Sequence, residues 1–598
     1  MNLTEIRLIK RRTHYSIWLC GFSLLIFVLD FFLACKGYNS QEYLDADFIA
    51  EDLTPIDLLA PTHNSTTSKT PIFTWSRRSG VKRYVFELSK SSDFAEIILR
   101  KNLLNNAYEL NNDDLIGISA LDAQSYHWRV VAQYKHQSIN SNSAIMHTIE
   151  TNIVYVNANM TGNQLGNKSF PYKTIQSGIE AANSLRNGSP TITCQVFVAQ
   201  GIYTETIQLR PGISLRGGYE ANNWTRDIYA NLTSIIAASD AAVRGGADIT
   251  TAFTATTVVD GFTITGGNFS SNAAISNYYA SPTFSNNVIN GGAGNFSHGI
   301  SSNYASSPVI SYNTISGGNG ANSSRGVYES GSASVISNNI IFGGNGISNS
   351  TGITITNTAS PTVKNNLIVG GNNSTNNYGI STGGGGGGTI VNNTILGGSG
   401  SGNNYGIGMA GVVLPTVISN NTINGGSAGT AYGIRMFSGA TPEIRNNIIF
   451  TSVGTGTCIY ESAAGDDPVA MENNNLFGCT TALYRDHDTG ADVTNLSTSI
   501  TLPTGTLASM GNINVDNTGN QLFVNMVGAD NDINTMTDND WHLTANAAIC
   551  DVRGGGRDLS TSFTSDKDGL TRTISAITGC TPSNTGASNW SMGAFESN

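Results

Sequence analysis

The nine-residue frame ISNNTINGG (418–426) returns along this chain at a nearly constant interval. It occurs as FSNNVINGG (284–292), ISYNTISGG (310–318), ISNNIIFGG (336–344), VKNNLIVGG (363–371) and IVNNTILGG (390–398), then as IRNNIIFTS (444–452) and MENNNLFGC (471–479). The second Asn falls at Asn287, Asn313, Asn339, Asn366, Asn393, Asn421, Asn447 and Asn474, in steps of 26 to 28 residues. An apolar marker keeps the same period: Ile275, Ile300, Val327, Ile353, Ile380, Ile407, Ile434 and Ile459. A fixed period in the twenties is the mark of a solenoid, in which each repeat buries its core against its neighbours. The units are rich in turns and poor in helix formers, so the solenoid is built of strands. Each coil reads as three short strands, and about a dozen coils stacked at ~4.8 Å would span roughly 60 Å.

Comparing the copies column by column gives the facing of each position. Three residues before the second Asn, the column is Phe284, Ile310, Ile336, Val363, Ile390, Ile418, Ile444 and Met471. Two residues after it, the column is Ile or Leu in every copy. Both columns are expected to face the core, and the intervening position, rich in Ser, Lys, Arg and Glu, to face water. The first Asn is once replaced, by Tyr312, whereas the second is Asn in all eight copies. The expectation is that the second Asn sits at a tight corner in left-handed backbone and points inward. Its amide then bonds to the same group one coil away, a ladder that satisfies buried polar atoms. In VVDGFTITGG (258–267), Phe262 aligns with the second Asn and would end the ladder. Asn420-Asn421-Thr422 also fits a glycosylation sequon by pattern.

The repeats have an ordered beginning and end. SFPYKTIQSGIEAAN (169–183) predicts a short amphipathic helix opened by Pro171, with Ile175, Ile179 and Ala182 on one face. CQVFVAQGIYTETIQL (194–209) and GISLRGGY (212–219) follow as strands. This combination resembles the opening of the right-handed parallel β-helix (pectate-lyase-like solenoid), a fold of pectin-degrading enzymes, phage tailspikes and many bacterial surface proteins. DWHLTANAAICDV (540–552), DKDGLTRT (566–573) and MGAFE (592–596) resemble the closing segment of β-helix surface proteins. The fold class implied is all-β: a right-handed parallel β-helix with three short strands per coil of about 27 residues, preceded by a smaller β-domain. Its parts are an N-terminal cap and first coils over 152–257, regular repeats over 258–480, and C-terminal coils and cap over 481–598.

That smaller domain is read over 61–151. IFTWSR, RYVFELSKSSDF and SYHWRVVAQY alternate apolar and polar residues between turn-rich gaps, as in an antiparallel sandwich. Trp75, Tyr84–Phe86–Leu88 and Tyr126–Trp128–Val130 resemble a fibronectin type III-like module, which implies a spacer or binding domain. Residues 36–60 read as an acidic tether. Ahead of them, Lys10, Arg11 and Arg12 precede an apolar run over 16–35, the layout of a signal peptide. Its end, Phe32-Leu33-Ala34-Cys35, resembles a bacterial lipobox. The resemblance implies lipid on Cys35, a membrane partner through that lipid, and an exported protein at the outer membrane or cell surface. Export permits disulfides. Pairing of Cys458 with Cys479 and Cys550 with Cys580 is one of several arrangements open to the cysteines that remain, with Cys194 as a buried thiol.

Charge narrows the function. Only 12% of residues are charged, against roughly 25% in ordinary domains, and the net charge is −11. Nucleic acid is excluded as a partner, since phosphates demand a basic face. Between 258 and 450 the charged residues are Asp260, Arg325, Glu329, Lys364, Arg435, Glu443 and Arg445, with no acidic pair recurring in a column. Glycoside hydrolysis needs a carboxylate pair, and lysis of uronates needs a base beside Ca²⁺. The Asp, Arg and Gly-rich signatures of pectin methylesterases are missing. Calcium readings are weak: GGNGANSS (317–324) lacks the Asp of the Ca²⁺-binding nonapeptide, and Asp530, Asp532 and Asp540 lie in a segment without the Gly and Glu of an EF-hand loop. Tyr378, Tyr405 and Tyr432 are 27 residues apart and should stack in register, as structure or as a sugar platform. The expectation is therefore a monomeric, non-catalytic binding or adhesion solenoid without a cofactor, for glycan or for a host or matrix protein. The alternative is a carbohydrate-active lyase or hydrolase whose acids come from the loops or the C-terminal region.

Overall fold

The structure is a computed structural model that describes residues 54–596, apart from short internal stretches of which 111–124, 187–192, 247–252 and 534–538 are the longest. Cys35 and the rest of 1–53 lie outside the described residues. The chain divides into two compact units.

The smaller unit holds two antiparallel sheets. One contains the strands Leu58–Ala60, Ile72–Trp75 and Ala107–Glu109, and the other is built around Arg83–Ser89 and Ser125–Gln133. Aromatic rings join them: Phe73 lies 4.5 Å from Phe86 and 5.1 Å from Trp128. Trp75, Phe86, Leu88, Tyr126 and Trp128 are fully enclosed.

The larger unit is a parallel β-solenoid. Three sheets of twelve, eleven and twelve strands run along it, each strand hydrogen-bonded in parallel to its counterpart one coil away except Ala491–Val493, which closes the third sheet as an antiparallel hairpin with Ala482–Asp486. We call them faces A, B and C in the order the chain meets them. All three predicted inward columns have zero exposure: Phe284 to Met471 on A, Ile289 to Leu476 on B, and Ile275 to Ile459 on C. Each buried aliphatic chain contributes about 1.5–3 kcal/mol, which makes these columns the main source of stability. The capping helix is Ile175–Arg186, with Ile175, Ile179 and Ala182 buried. It starts four residues after Pro171 because Tyr172 first pairs in extended form with Tyr155 and Asn157. Glu205 then accepts from the amides of Ile175 (2.8 Å) and Gln176 (3.0 Å), placing a carboxylate at the positive helix end. Gly178 lets this helix sit close, since a Cβ there would fall 2.5 Å from Val156.

The Asn pair divides its labour differently from the sequence expectation. The left-handed residue is the first of the pair: Asn286, Tyr312, Asn338, Asn365, Asn392, Asn420, Asn446 and Asn473 all have φ between 53° and 58°. The second Asn is not among the residues with positive φ. It is buried, and its amide donates to the Oδ1 of the next, at 3.1 Å from Asn287 to Asn313 and 3.0 Å from Asn393 to Asn421. The same Oδ1 accepts the backbone N–H of the preceding rung, as Asn393 does from Asn366 at 2.9 Å. One end of the ladder is Phe262, whose N–H donates to Asn287. The other is Asn512, which receives Asn474 at 2.9 Å across a break in the period.

The C-terminal segment folds back along the solenoid. Asn420 donates to Ser591 O (2.9 Å), Asn446 to Arg557 O (2.7 Å) and Asn473 to Gly555 O (2.8 Å). The first-Asn side chains of the late coils thus dock this segment. It covers the later part, from Phe342 on, of an outward column of face B that reads Thr265, Asn290, Ser316, then Phe342, Val369, Leu396, Asn424, Phe450, Phe477. The apolar members pack with Leu522, Phe523, Trp541 and Phe595. The position expected to face water before the Asn pair is accordingly buried at Val391 and Ser419, in coils that the segment binds. Disulfides join Cys458 to Cys479 and Cys550 to Cys580, and Cys194 is a buried thiol outside both.

Candidate functional site

The cap occupies face B and the adjoining corner, and face C, whose strands of up to eight residues are longer than those of face A in the regular repeats, presents several outward columns. Its strands bend at a Gly, as in Asn376–Thr382, where Asn377 and Ile380 turn inward and Tyr378 and Ser381 outward. One outward column runs His298, Arg325, Thr351, Tyr378, Tyr405, Tyr432. The next runs Ser301, Tyr328, Thr354, Ser381, Gly408, Arg435, Tyr460. Beside them, Asn349, Asn376 and Asn403 form a second amide ladder, with Asn403 donating to Asn376 at 3.2 Å.

Tyr378, Tyr405 and Tyr432 stack with centroids 4.4 and 5.3 Å apart and planes within 12°. The faces of Tyr405 are therefore turned on its two neighbours, and the stack offers a ligand mainly ring edges and hydroxyls. Burial lifts the Tyr378 and Tyr405 hydroxyls above the usual phenol range, so both are donors at neutral pH. Arg435 closes the stack. Its guanidinium lies 4.7 Å from the Tyr432 ring, 4.9 Å from Tyr460 and 4.5 Å from Phe437, and donates to Ser462 Oγ at 3.0 Å. With Tyr405 at 5.8 Å, four rings hold this cation in a fixed place. Gly408 makes room for the stack, because a Cβ there would come within 2.7 Å of Tyr378. Gly408→Ala is expected to cost about 1–3 kcal/mol through overpacking and to reduce the near-UV circular dichroism of the tyrosines.

Face C carries no outward carboxylate from its strand at Phe296–Asn303 through Thr430–Phe437, among the described residues. Glu329 lies on these strands but is turned inward, where burial raises it to about 7 and Ser332 and Ser334 donate to it. On face C, among the described residues, carboxylates gather beyond Tyr460. Glu461 takes the inward place held one coil earlier by Met436. Burial first, then the charges of Asp467 and Asp486, push it up to about 7, while the Tyr484 hydroxyl and the His487 N–H donate to it. Glu461 and Asp486 are 2% and 1% exposed, enclosed beneath the surface rather than offered to a substrate. The sequence expectation passed over Glu461. The signal was a second carboxylate in an inward column that reads Ser302, Glu329, Ile355, Thr382, Met409 and Met436 before it.

The other predicted positions are dispersed. Asp530 is exposed and Asp532 lies outside the described residues. Asp540 is bound to a histidine: His542 Nδ1 is 2.6 Å from Asp540 and its Nε2 is 2.7 Å from Asp568. Among the described residues no three His, Cys, Asp or Glu side chains gather as a metal site. Burial opposes charge on His542, but the two carboxylates outweigh it and raise the imidazole to about 10. The folded-state pKa is above the unfolded one, so this contact stabilises fully below pH about 6.5 and fades as pH rises through about 10. The unfolding-midpoint difference between the native chain and His542→Gln should shrink over that window in a pH series.

No family model matches the chain, and no curated protein matches it in sequence. Among solved structures, it is similar to the pectin methylesterase from Aspergillus niger in deglycosylated form, at 14% identity over 61% of this chain and 96% of that one, with a TM-score of 0.26. It is also similar to the catalytic unit of the thermostable GH87 alpha-1,3-glucanase from Streptomyces thermodiastaticus strain HF3-3, at 9% identity over 69% and 85%, with a TM-score of 0.23. Neither superposition is close enough to transfer a residue or an activity.

Proposed function

We propose that this chain is an exported, lipid-anchored binding protein whose solenoid holds glycan on face C without cleaving it. The observation that carries the reading is the make-up of that face: a ring stack closed by Arg435, flanked by amide and hydroxyl columns, with no outward carboxylate. Hydroxyls and amides can exchange hydrogen bonds with sugar hydroxyls, and fixed rows along a rigid solenoid suit an extended chain. In this reading Cys35 carries the lipid, 36–60 is the tether, and the small two-sheet unit is a fibronectin-III-like spacer. Acid–base catalysis requires a carboxylate within reach of the bond, and the raised carboxylates on the strands of face C, Glu329 and Glu461, are enclosed.

The test is to incubate the whole chain, in detergent, with acidic and neutral polysaccharides, with and without Ca²⁺, following both retention and new chain ends. Retention without new ends is expected. New ends would replace this reading with the carbohydrate-active enzyme, and no retention would move it to a protein ligand. Mass analysis of the mature N-terminus tests the anchor: Cys35→Ser should abolish lipid attachment.

A further inference from the structure

The corner that follows face C is left-handed in seven successive coils. The aligned residues are Tyr279, Tyr304, Gly331, Asn357, Gly384, Gly411 and Ser438, all with φ between 50° and 60°. Gly, Asn and Ser fill five of these places, as the backbone favours. A bulky residue there is an outlier that costs on the order of 1–3 kcal/mol. Yet two neighbouring coils carry tyrosine.

Burial does not explain these two. Phe94 and Trp224 also have positive φ, but they are 7% and 4% exposed and fill cores. Tyr279 and Tyr304 are 38% and 58% exposed, and Tyr278 beside them is 41% exposed. Tyr304 lies 5.6 Å from both Tyr278 and Tyr279, with planes within 27°. Room in this column varies: a Cβ built at Gly411 meets nothing within 4 Å, at Gly331 it meets only Asn357 O at 3.4 Å, and at Gly384 it comes within 2.9 Å of Thr356 Oγ1. The strain is thus spent on presenting three rings to solvent in a fixed cluster, a pattern that concentrates at binding sites.

The surroundings define the ligand. Residues 271–324 contain no Asp, Glu, Lys or Arg. The histidine in that span, His298, is pushed down to about 3 by burial and by Arg325, and is neutral. What borders the rings is hydroxyl and amide: Ser281 Oγ accepts from the Ser307 N–H at 3.0 Å, and Asn303 donates to Ser301 Oγ at 2.8 Å. The span itself offers nothing to a charged group, and the register places Arg244 and Arg325 one coil to either side of it, beside Ser276 and His298. Ring surface beside hydroxyls and amides matches a molecule that is apolar on its ring faces and hydroxylated at its edges.

We infer that Tyr278, Tyr279 and Tyr304 form a binding site for the pyranose rings of a neutral glycan. The inference rests on the glycan-binding reading and names both a site and a ligand class within it. The variant Tyr279→Gly/Tyr304→Gly places the residue this backbone prefers at both positions, so loss of binding cannot be ascribed to misfolding. Affinity electrophoresis of the whole chain in detergent would use a soluble β-1,3-glucan, a mannan and an amylose, with polygalacturonate as the acidic comparison. The native chain should be retarded by at least one neutral polymer. The double variant should bind it at least about tenfold more weakly, with an unfolding midpoint unchanged or higher. Equal binding by native chain and variant would overturn this site and leave the face C reading standing. Retention by polygalacturonate alone would overturn the neutral ligand class but not that reading. Retention by none would overturn both.

Discussion

Asn393→Leu is expected to cost the solenoid about 3–5 kcal/mol, because it leaves several buried polar groups without partners at about 1–3 kcal/mol each. Asn393 Oδ1 accepts from both the backbone N–H and the amide of Asn366. Its Nδ2 donates to Val363 O, Val391 O and Asn421 Oδ1. Leucine matches the volume but none of these contacts, and no water can enter to replace them at a site of zero exposure. The control is Asn319→Leu. Asn319 accepts from Asn345 in an exposed loop ladder at 2.9 Å, where solvent substitutes freely. That change should stay within about 0.5 kcal/mol. Urea unfolding followed by far-UV circular dichroism compares the two, and equal costs would mean the inner ladder stabilises no more than the outer one.

Arg572→Met should release the C-terminal segment. Arg572 is fully enclosed and pairs with Glu596 at 2.9 Å, also donating to Ser591 O, Gly593 O and the first-Asn side chain Asn392 Oδ1. Removing one partner of a buried pair leaves an uncompensated charge and costs about 3–5 kcal/mol. The loss falls locally, on the segment rather than on the coils. Trp541 and Trp590 should shift their emission to the red, residues 540–596 should become open to protease, and the solenoid's far-UV signal should persist. Adding Glu596→Gln to Arg572→Met removes the stranded charge and should restore part of the protection. If Arg572→Met keeps native emission and protease resistance, the pair does not hold the segment.

What the sequence revealed follows from which interactions repeat. The inward columns and the second-Asn ladder recur in every coil, so comparing copies exposes them. The left-handed corner was assigned to the wrong Asn because both residues of the pair tolerate that backbone. One coil separates them: Gly261-Phe262 puts Gly at the first position and Phe at the second, and Gly261 has φ 81°. The outward apolar run Phe342, Val369, Leu396, Phe450, Phe477 looks like ordinary variation at an exposed position until the segment that covers it is seen. That contact joins residues far outside one repeat, Phe450 with Phe523 and Trp541, and occurs once, so no period betrays it. Tyr279 and Tyr304 escaped for a related reason. Their column holds five other residues of small size, and nothing in a sequence distinguishes a strained corner from a relaxed one.

The ladder also makes the coils interchangeable. Every rung donates its amide protons to the Oδ1 of the next coil and to a backbone carbonyl of the coil before, so each junction between coils is chemically the same. Excising 314–339 would set Asn313 directly before Ile340, with Asn366 as its new acceptor, and no donor or acceptor would be left over. The late coils lack this freedom, because their outward residues are matched one by one to the returning segment. Length can therefore change by whole coils upstream of Phe342 while the closed end stays intact. Such a change would move the tyrosine corner nearer to or farther from Arg435, and would set the spacing between the molecule's two aromatic sites in steps of ~4.8 Å.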